Sequence, residues 1–248
     1  MASILGIIPA RYASTRFPGK PFALINGVSM LQRVYEQSIK AKHLDAVIIA
    51  TDDERIADHA AEFKAPCVIT SGSHPSGTDR CFEAFQRYGK HCDYVINIQG
   101  DEPFLHPEQI DSLAMACDGK TEIATQMIKC NNHDVLFDKG EVKIVLDKDH
   151  HALYFSRSVI PAIKNADEKN WHNLFNYYRH VGMYAYRTDI LEKITALKPS
   201  PLELAESLEQ LRWLENGFKI NCVETDYDSH CIDTPEDIEK VLKLMRIH

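Results

Sequence analysis

The sequence lacks the features that mark secreted, membrane-embedded or nucleic-acid-binding proteins. Its seven cysteines are odd in number and never spaced as C-x-x-C, so we expect reduced cytosolic thiols rather than a disulfide framework or a zinc site. No apolar run approaches the length of a membrane span, and the N-terminus shows no signal-peptide n-region or cleavage site. We therefore expect a cytoplasmic protein that does not bind membranes. The net charge of -8 argues against nucleic acid as a partner.

Internal repeats, low-complexity tracts and flexible linkers are also missing, so residues 1–248 are interpreted as one continuous domain. The first predicted strand is not followed by G-x-G-x-x-G, the glycine pattern of dinucleotide-binding folds. The loop in that place is rich in cations instead. Both observations count against a nicotinamide-dependent oxidoreductase.

Short apolar runs alternate with helical patterns through the first half of the chain. Alternation of this length predicts right-handed βαβ units. It therefore predicts an α/β fold with a mostly parallel, doubly wound, Rossmann-like sheet. The predicted strands are 4–8, 46–50, 67–70 and 94–98, and the predicted helices are 30–42, 54–63, 79–88 and 107–117.

The second half begins with strands that have few helices between them, which predicts a mixed-sheet extension and part of a subunit interface. Polar residues 165–176 are expected to form a mobile loop. Ser200, Pro201 and Glu203 then predict the capped start of a helix. The remaining predicted elements are strands 123–128, 141–146, 152–156, 180–187 and 220–223, the apolar helical stripe Leu204, Leu208, Leu211 and Leu214, and a last helix after Thr234.

Three cations, Arg11, Arg16 and Lys20, lie in the loop between the first strand and the first helix, together with Ser14 and Gly19. Loops at the carboxyl ends of strands bind ligands in open α/β sheets. Arginine grips phosphate oxygens in pairs, and lysine adds a point charge. We therefore favour a polyphosphate site over the simpler interpretation, a solvated basic loop.

Asp101 follows the fourth predicted strand in the segment NIQGDEP, where Gly100 permits a sharp turn. Because parallel strand ends share one edge, Asp101 is expected to face the same crevice as the basic loop. A triphosphate there requires Mg²⁺, which takes one or two carboxylates as ligands. Asp233, in CIDTPED, is the best second candidate, with Asp226 and Asp228 as competitors. A turn residue and a helix-dipole partner are the simpler interpretations of the two acids.

Seven further polar residues lie at strand faces, strand ends or helix starts, where the residues alone allow two interpretations. Each suits contact with a ligand, and each is also explained by a helix cap, a core contact, an exposed ion pair or a solvated surface. These residues are Ser76, Arg80, Arg157, His180, Tyr184, Glu209 and Gln210. Strand alternation places His180 and Tyr184 on one face, with Gly182 leaving room between them.

The segment IPARYASTRFPGKP at 8–21 resembles the signature of the sugar nucleotidyltransferases, in particular the 3-deoxy-manno-octulosonate cytidylyltransferase (CMP-Kdo synthetase) family. The resemblance runs nearly end to end. It includes TDD at 51, SGTDR at 76, NIQGDEP at 97, ALYFSR at 152, HVGMYAYR at 180, SLEQLRWLENG at 207 and IDTPED at 232, in the family's order. HVGMYAYR and SLEQLRWLENG are more specific than the first loop. DYDSHC at 226–231 stands where members commonly have a glycine-containing turn.

The resemblance implies transfer of CMP from CTP to the anomeric hydroxyl of 3-deoxy-D-manno-octulosonate (Kdo). Pyrophosphate is released and Kdo is activated for lipopolysaccharide synthesis. It also implies a homodimer, a nucleotide half at about 1–120, and acidic-sugar and dimer elements at about 121–225. A cytidylyltransferase for another acidic sugar, such as amino-substituted Kdo or sialic acid, is the nearest alternative. A non-catalytic nucleotide or sugar-binding protein is a more distant one.

The resemblance further implies a role for each candidate residue. Arg16, Lys20, Asp101 and Asp233 would form the catalytic set, with Mg²⁺ held by the two aspartates. The triphosphate would contact Arg11, Ser14, Arg16 and Lys20. The cytidine would contact Arg80 and the backbone around Pro9, Ala10 and Ser76. The acidic sugar would meet Gln99, Arg157, His180, Tyr184, Glu209 and Gln210.

Overall fold

Residues 2–13, 16–228 and 231–245 are described in the computed structural model, and the contacts among them divide the chain into two units. The first unit holds the described residues up to Met115 together with those from Tyr227 onward. The second unit is Ala116–Asp226. Ser14, one of the predicted triphosphate ligands, lies outside the described residues.

A parallel sheet forms the centre of the first unit. Its strands are β1 (Ile4–Ala10), β4 (Ala46–Thr51), β5 (Cys67–Ile69) and β6 (Tyr94–Asn97). A separate hairpin consists of β2 (Leu24–Ile25) and β3 (Val28–Ser29). β1 pairs in parallel with β4 on one side and β6 on the other, and β5 extends the sheet beyond β4. β1 and β4 are almost wholly apolar and buried, as parallel strands covered on both faces are.

Helices alternate with these strands, which confirms the predicted mostly parallel α/β fold. They are α1 (Met30–Ser38), α2 (Glu54–Glu62), α3 (Gly77–Tyr88) and α4 (Pro107–Met115). Three of them begin at side-chain caps, because Ser29, Asp53 and Ser76 each accept a hydrogen bond from a first-turn backbone N–H. α1 ends at Ser38 rather than at residue 42, and α3 begins at Gly77 rather than at residue 79.

The second unit contains the predicted mixed sheet. Its elements are β7 (Ile123–Lys129), α5 (His133–Phe137), β8 (Lys143–Leu146), β9 (Ala152–Ser156), α6 (Trp171–Leu174), β10 (Tyr178–Arg187), α7 (Thr188–Thr195), α8 (Pro201–Glu206), α9 (Gln210–Glu215) and β11 (Ile220–Glu224). β7 pairs in parallel with β11 and antiparallel with β10, and β8 is antiparallel to both β10 and β9.

Two local predictions for this unit are wrong. The expected mobile loop at 165–176 contains a 3₁₀ turn, Glu168–Asn170, followed by α6, and Trp171 anchors it in the core with 7% of its surface exposed. The expected apolar stripe after Ser200 is interrupted, because Ser207 adopts a left-handed backbone conformation between α8 and α9. Leu204 is consequently 70% exposed, whereas Leu211 is buried.

The chain returns to the first unit with α10 (Pro235–Met245). Ile232 and Val241 pack with Ile25 and Met30 in one buried apolar cluster, which attaches the last helix to the hairpin and to α1. Within the described part of the chain, no helix has the length and apolar character needed to cross a membrane.

Candidate active site

The carboxyl ends of β1 and β6 lie against each other and bring two predicted site segments together. The backbone N–H of Ile98 donates to the Ile7 carbonyl at 2.9 Å, which extends the pairing beyond β6. At Gly100 an added Cβ would lie 2.8 Å from the Pro9 carbonyl oxygen, so only glycine allows this close approach. The Asp101 carbonyl then accepts from the Ile232 N–H at 2.9 Å, which brings the segment carrying Asp233 to the same edge.

A cavity of about 420 Å³ opens at this edge. Most residues predicted for the triphosphate and the metal line it, as expected for ligand sites at the carboxyl ends of parallel strands. The lining residues are Pro9, Ala10, Arg11, Ala13, Arg16, Lys20, Pro21, Gly77, Gln99, Gly100, Asp101 and Asp233. Ala13, Pro21 and Gly77 were not predicted from the sequence, because they have no functional groups that could react with or bind a ligand. They only form part of the cavity wall.

Lys20, Arg16 and the two aspartates form one charge cluster in the cavity. Lys20 Nζ donates to Asp101 Oδ2 at 2.8 Å and to Asp233 Oδ1 at 3.2 Å, and Arg16 Nη2 lies 3.0 Å from Asp233 Oδ2. Burial lowers the pKa of Lys20, but the Asp101 and Asp233 carboxylates outweigh burial, so its pKa is raised overall. The Lys20 side chain is therefore protonated and positively charged at neutral pH.

The same two carboxylates could hold a divalent cation. Ligand atoms of Asp101, Asp233 and Cys231 all lie within 4.8 Å of one another. Carboxylate oxygens are the donors that Mg²⁺ prefers, so the two aspartates fit this ion. Cys231 is exposed, and its soft sulfur makes it a poor ligand for a hard cation. The position of Cys231 beside the two aspartates was not predicted, because the sequence spacing of cysteines indicates only zinc sites and disulfides.

The basic loop is braced by contacts that the sequence did not reveal. Gly19 adopts a left-handed conformation, and its N–H donates to the Tyr12 carbonyl at 3.0 Å, which closes the loop on itself. The Arg55 guanidinium from α2 lies 3.5 Å from the centre of the Tyr12 ring, a cation–π contact. Tyr12 also packs edge-on against Phe22, with ring centres 6.0 Å apart. These contacts position the loop that carries the predicted triphosphate ligands.

Ser76 and Arg80, predicted on the cytidine side, have roles within the fold. Ser76 is the N-cap of α3, accepting from the Asp79 N–H and donating to the Asp79 carboxylate at 2.6 Å. Arg80 is fully buried, with Nη1 donating to Thr70 Oγ1 at 2.6 Å and Nη2 lying 2.9 Å from Asp52 Oδ1. This pairing explains why an arginine stands in the first turn of a helix. Contact of either residue with cytidine stays a prediction.

In the second unit, His180 and Tyr184 are brought into contact by an irregularity in β10. The register against β7 shifts between Val181 and Tyr184, and the His180 and Tyr184 ring centres lie 5.1 Å apart. Burial, and then the neighbouring Arg179, lower the pKa of His180 to about 3, so its ring is neutral. Its Nε2 lies 2.9 Å from Thr125 Oγ1. The Tyr184 hydroxyl is buried beside the Thr125 side chain.

The other residues predicted on the sugar side lie in the same unit, except Gln99. Gln210 begins α9 and is buried rather than solvated, with 5% exposed, and Glu209 directly precedes it. α9 packs on β10 through Trp213, whose ring meets Tyr184 edge-on at 5.2 Å. Arg157 Nε donates to the Glu206 carbonyl at 2.9 Å, so this guanidinium ties the end of β9 to the end of α8.

Comparison with known proteins identifies the family. The sequence matches the family model for cytidylyltransferases over residues 5–220. The 3-deoxy-manno-octulosonate cytidylyltransferases of Parabacteroides distasonis and Bacteroides thetaiotaomicron are each 51% identical, over 99% and 98% of both chains respectively. A solved structure of CMP:2-keto-3-deoxy-manno-octonic acid synthetase complexed with CTP matches with a TM-score of 0.90 and 37% identity over 99% of both chains. The chain therefore belongs to the cytidylyltransferase family, within its 3-deoxy-manno-octulosonate cytidylyltransferase group.

Proposed function

We propose that the protein transfers CMP from CTP to the anomeric hydroxyl of Kdo, releasing pyrophosphate and activating Kdo for lipopolysaccharide synthesis. The observation that carries the proposal is the convergence of Lys20, Asp101 and Asp233 in one cavity at the ends of β1 and β6. A cation for phosphate and carboxylates for a metal meet there, as nucleotidyl transfer requires. The relatives named above support CTP as the nucleotide and Kdo as the sugar.

The first unit binds the nucleotide in this proposal. Arg11, Arg16 and Lys20 bind the triphosphate, and the backbone around Pro9 and Ala10 faces the cytidine. The sugar hydroxyl attacks the α-phosphorus in line, the bond to the pyrophosphate oxygen breaks, and negative charge develops on the leaving group. Arg16 and Lys20 stabilise that charge, since both line the cavity in which the triphosphate binds in this proposal.

Asp101 and Asp233 hold Mg²⁺ in this proposal, supported by their converging oxygens. The bound cation supplies charge neutralisation at the α-phosphate and lowers the pKa of the attacking hydroxyl. The hydroxyl proton then passes to solvent, so no side-chain base is assigned.

Kdo is bound chiefly through the second unit. The neutral ring of His180 and the buried Tyr184 hydroxyl exchange hydrogen bonds with sugar hydroxyls. Arg157, Glu209 and Gln210 complete the contacts in this unit. Gln99, from the cavity of the first unit, is the remaining proposed contact.

We also propose that the protein is a homodimer located in the cytoplasm. The family resemblance supports the dimer. Seven cysteines without a disulfide among them agree with a reducing compartment.

Pyrophosphate release from the purified protein with CTP and Mg²⁺ tests the proposed reaction. Kdo, amino-substituted Kdo, sialic acid and no sugar are compared, with Asp101→Asn as the inactive control. We expect release with Kdo and, in the control, a loss of several orders of magnitude in turnover. Release with another acidic sugar alone would reassign the substrate. CTP binding without release under any condition would favour the binding-protein alternative.

A further inference from the structure

The Lys20 ammonium lies between the two carboxylates that a divalent cation would use. Its distances to Asp101 Oδ2 and Asp233 Oδ1 are 2.8 and 3.2 Å, and the Lys20 side chain is only 14% exposed. Arg16 lies 3.0 Å from the other oxygen of Asp233. Two cations and two anions thus neutralise one another at the centre of the cavity.

This arrangement and a cation bound to both carboxylates disfavour each other. Mg²⁺ lies about 2.0–2.1 Å from its oxygen ligands. A cation on both carboxylates would therefore lie within about 5 Å of the Lys20 ammonium if the lysine kept its present contacts. Like charges at that separation disfavour each other, and both draw on the charge of the same two carboxylates. We therefore expect Lys20 to leave Asp101 and Asp233 when a cation binds them.

A triphosphate provides the place to which Lys20 can move. The cavity that holds Lys20 is also lined by Arg11 and Arg16, so phosphate oxygens bound there would lie near all three cations. Lys20 begins a 3₁₀ turn directly after the left-handed Gly19, and its flexible side chain can turn without a change in the backbone. Lys20 and Arg16 would then compensate the phosphates while Asp101 and Asp233 compensate the metal.

We propose that Lys20 acts as a placeholder for the divalent cation, and that the CTP triphosphate withdraws it so that nucleotide and cation bind with positive cooperativity. This inference rests on the proposed function, because it uses the triphosphate loop and the metal carboxylates assigned there. By thermodynamic linkage, the factor by which CTP strengthens cation binding equals the factor by which the cation strengthens CTP binding. Couplings of this kind are typically about 5- to 150-fold.

Binding of Mn²⁺ to the purified full-length protein without nucleotide tests the placeholder directly, with the free ion measured by electron paramagnetic resonance. Lys20→Met removes the ammonium and keeps the apolar stem. We expect it to tighten Mn²⁺ binding by at least about fivefold relative to the wild type. Arg11→Met is the matched control, because it removes a positive charge from the same cavity but breaks no ion pair to Asp101 or Asp233 within the described chain. We expect a clearly smaller effect there.

Equal effects of Lys20→Met and Arg11→Met would overturn the inference, since general charge removal would then explain both. Thermal unfolding checks that each variant is folded, and Lys20→Gln replaces Lys20→Met if the apolar side chain prevents folding. Asp101→Asn and Asp233→Asn separate this inference from the proposed function. If Mn²⁺ binding persists unchanged in both, the metal assignment is wrong, and so is the proposal that Lys20 acts as a placeholder. If both lose Mn²⁺ but Lys20→Met does not tighten it, only the placeholder is wrong.

Discussion

At the scale of single residues, His180 makes the stability of the protein depend on pH. Burial, and then Arg179, lower its pKa to about 3 in the fold, against 6.5 as the ordinary value. The stability from its neutral form is thus fully present above about pH 6.5 and is lost as the pH falls towards 3. We expect the wild type to lose up to about 1.4 kcal/mol more per pH unit in this window than His180→Gln.

Urea unfolding of both proteins between about pH 7 and about pH 5 measures this difference. His91, which is 85% exposed, supplies the control, because His91→Gln should keep the acid sensitivity of the wild type. Parallel curves for the wild type and His180→Gln would contradict the expected neutral ring.

Single residues also show which parts of the site can be predicted from the sequence and which cannot. Lys20, Asp101 and Asp233 were found because their segments follow predicted strands or precede a capped helix, and topology brings such segments to one edge. Arg80 was recognised as a candidate ligand contact at a helix start, but its partner Asp52 could not be identified. That pairing depends on the distance between two loops, and no spacing in the sequence records it.

At the scale of elements, the break between α8 and α9 shows what residue patterns miss. No glycine or proline stands between Ala205 and Glu209, so the apolar stripe predicts continuity. The chain instead turns at Ser207, with φ of 54° and ψ of 48°. The turn buries Leu208 and Leu211. Burial of these side chains outweighs the cost of a left-handed serine, and only tertiary packing can decide that balance.

Ser207→Gly tests this balance. Glycine adopts the left-handed conformation without the clash of a Cβ, so we expect an increase of about 0.5–1 kcal/mol in the free energy of unfolding. Ser112→Gly is the matched control, since the same change within α4 should cost about 0.5–1 kcal/mol. Denaturant unfolding gives both values. A loss of stability in Ser207→Gly would show that the Ser207 side chain makes a stabilising contact.

At the scale of the whole molecule, the order of elements was predictable but the route by which distant segments meet was not. Alternating apolar runs and helices define the parallel sheet, because each strand must be buried on both faces. The last helix, α10, belongs to the first unit although 111 residues of the second unit, Ala116–Asp226, come before its segment. Sequence periodicity shows that α10 has an apolar face but does not show which surface that face covers.

That surface links the core to the charge cluster. Val241 of α10 packs with Ile25, Met30 and Ile232, and Ile232 directly precedes Asp233. Val241→Ala leaves every charged group in place but opens a small cavity beneath the helix, at a cost of about 1–2 kcal/mol. Because the cluster fixes the segment that carries Asp233, we expect Mn²⁺ affinity to fall several-fold as well.

Val47→Ala is the matched control for that effect. Val47 is also buried in the first unit, but it lies near the start of β4, opposite Gly6 and at the far end of the strand from the cavity. It should lose similar stability while Mn²⁺ affinity stays close to that of the wild type. Denaturant unfolding and electron paramagnetic resonance of free Mn²⁺ measure the two quantities separately. Equal losses of affinity in both variants would show that general loosening of the unit, rather than the attachment of α10, controls the position of Asp233.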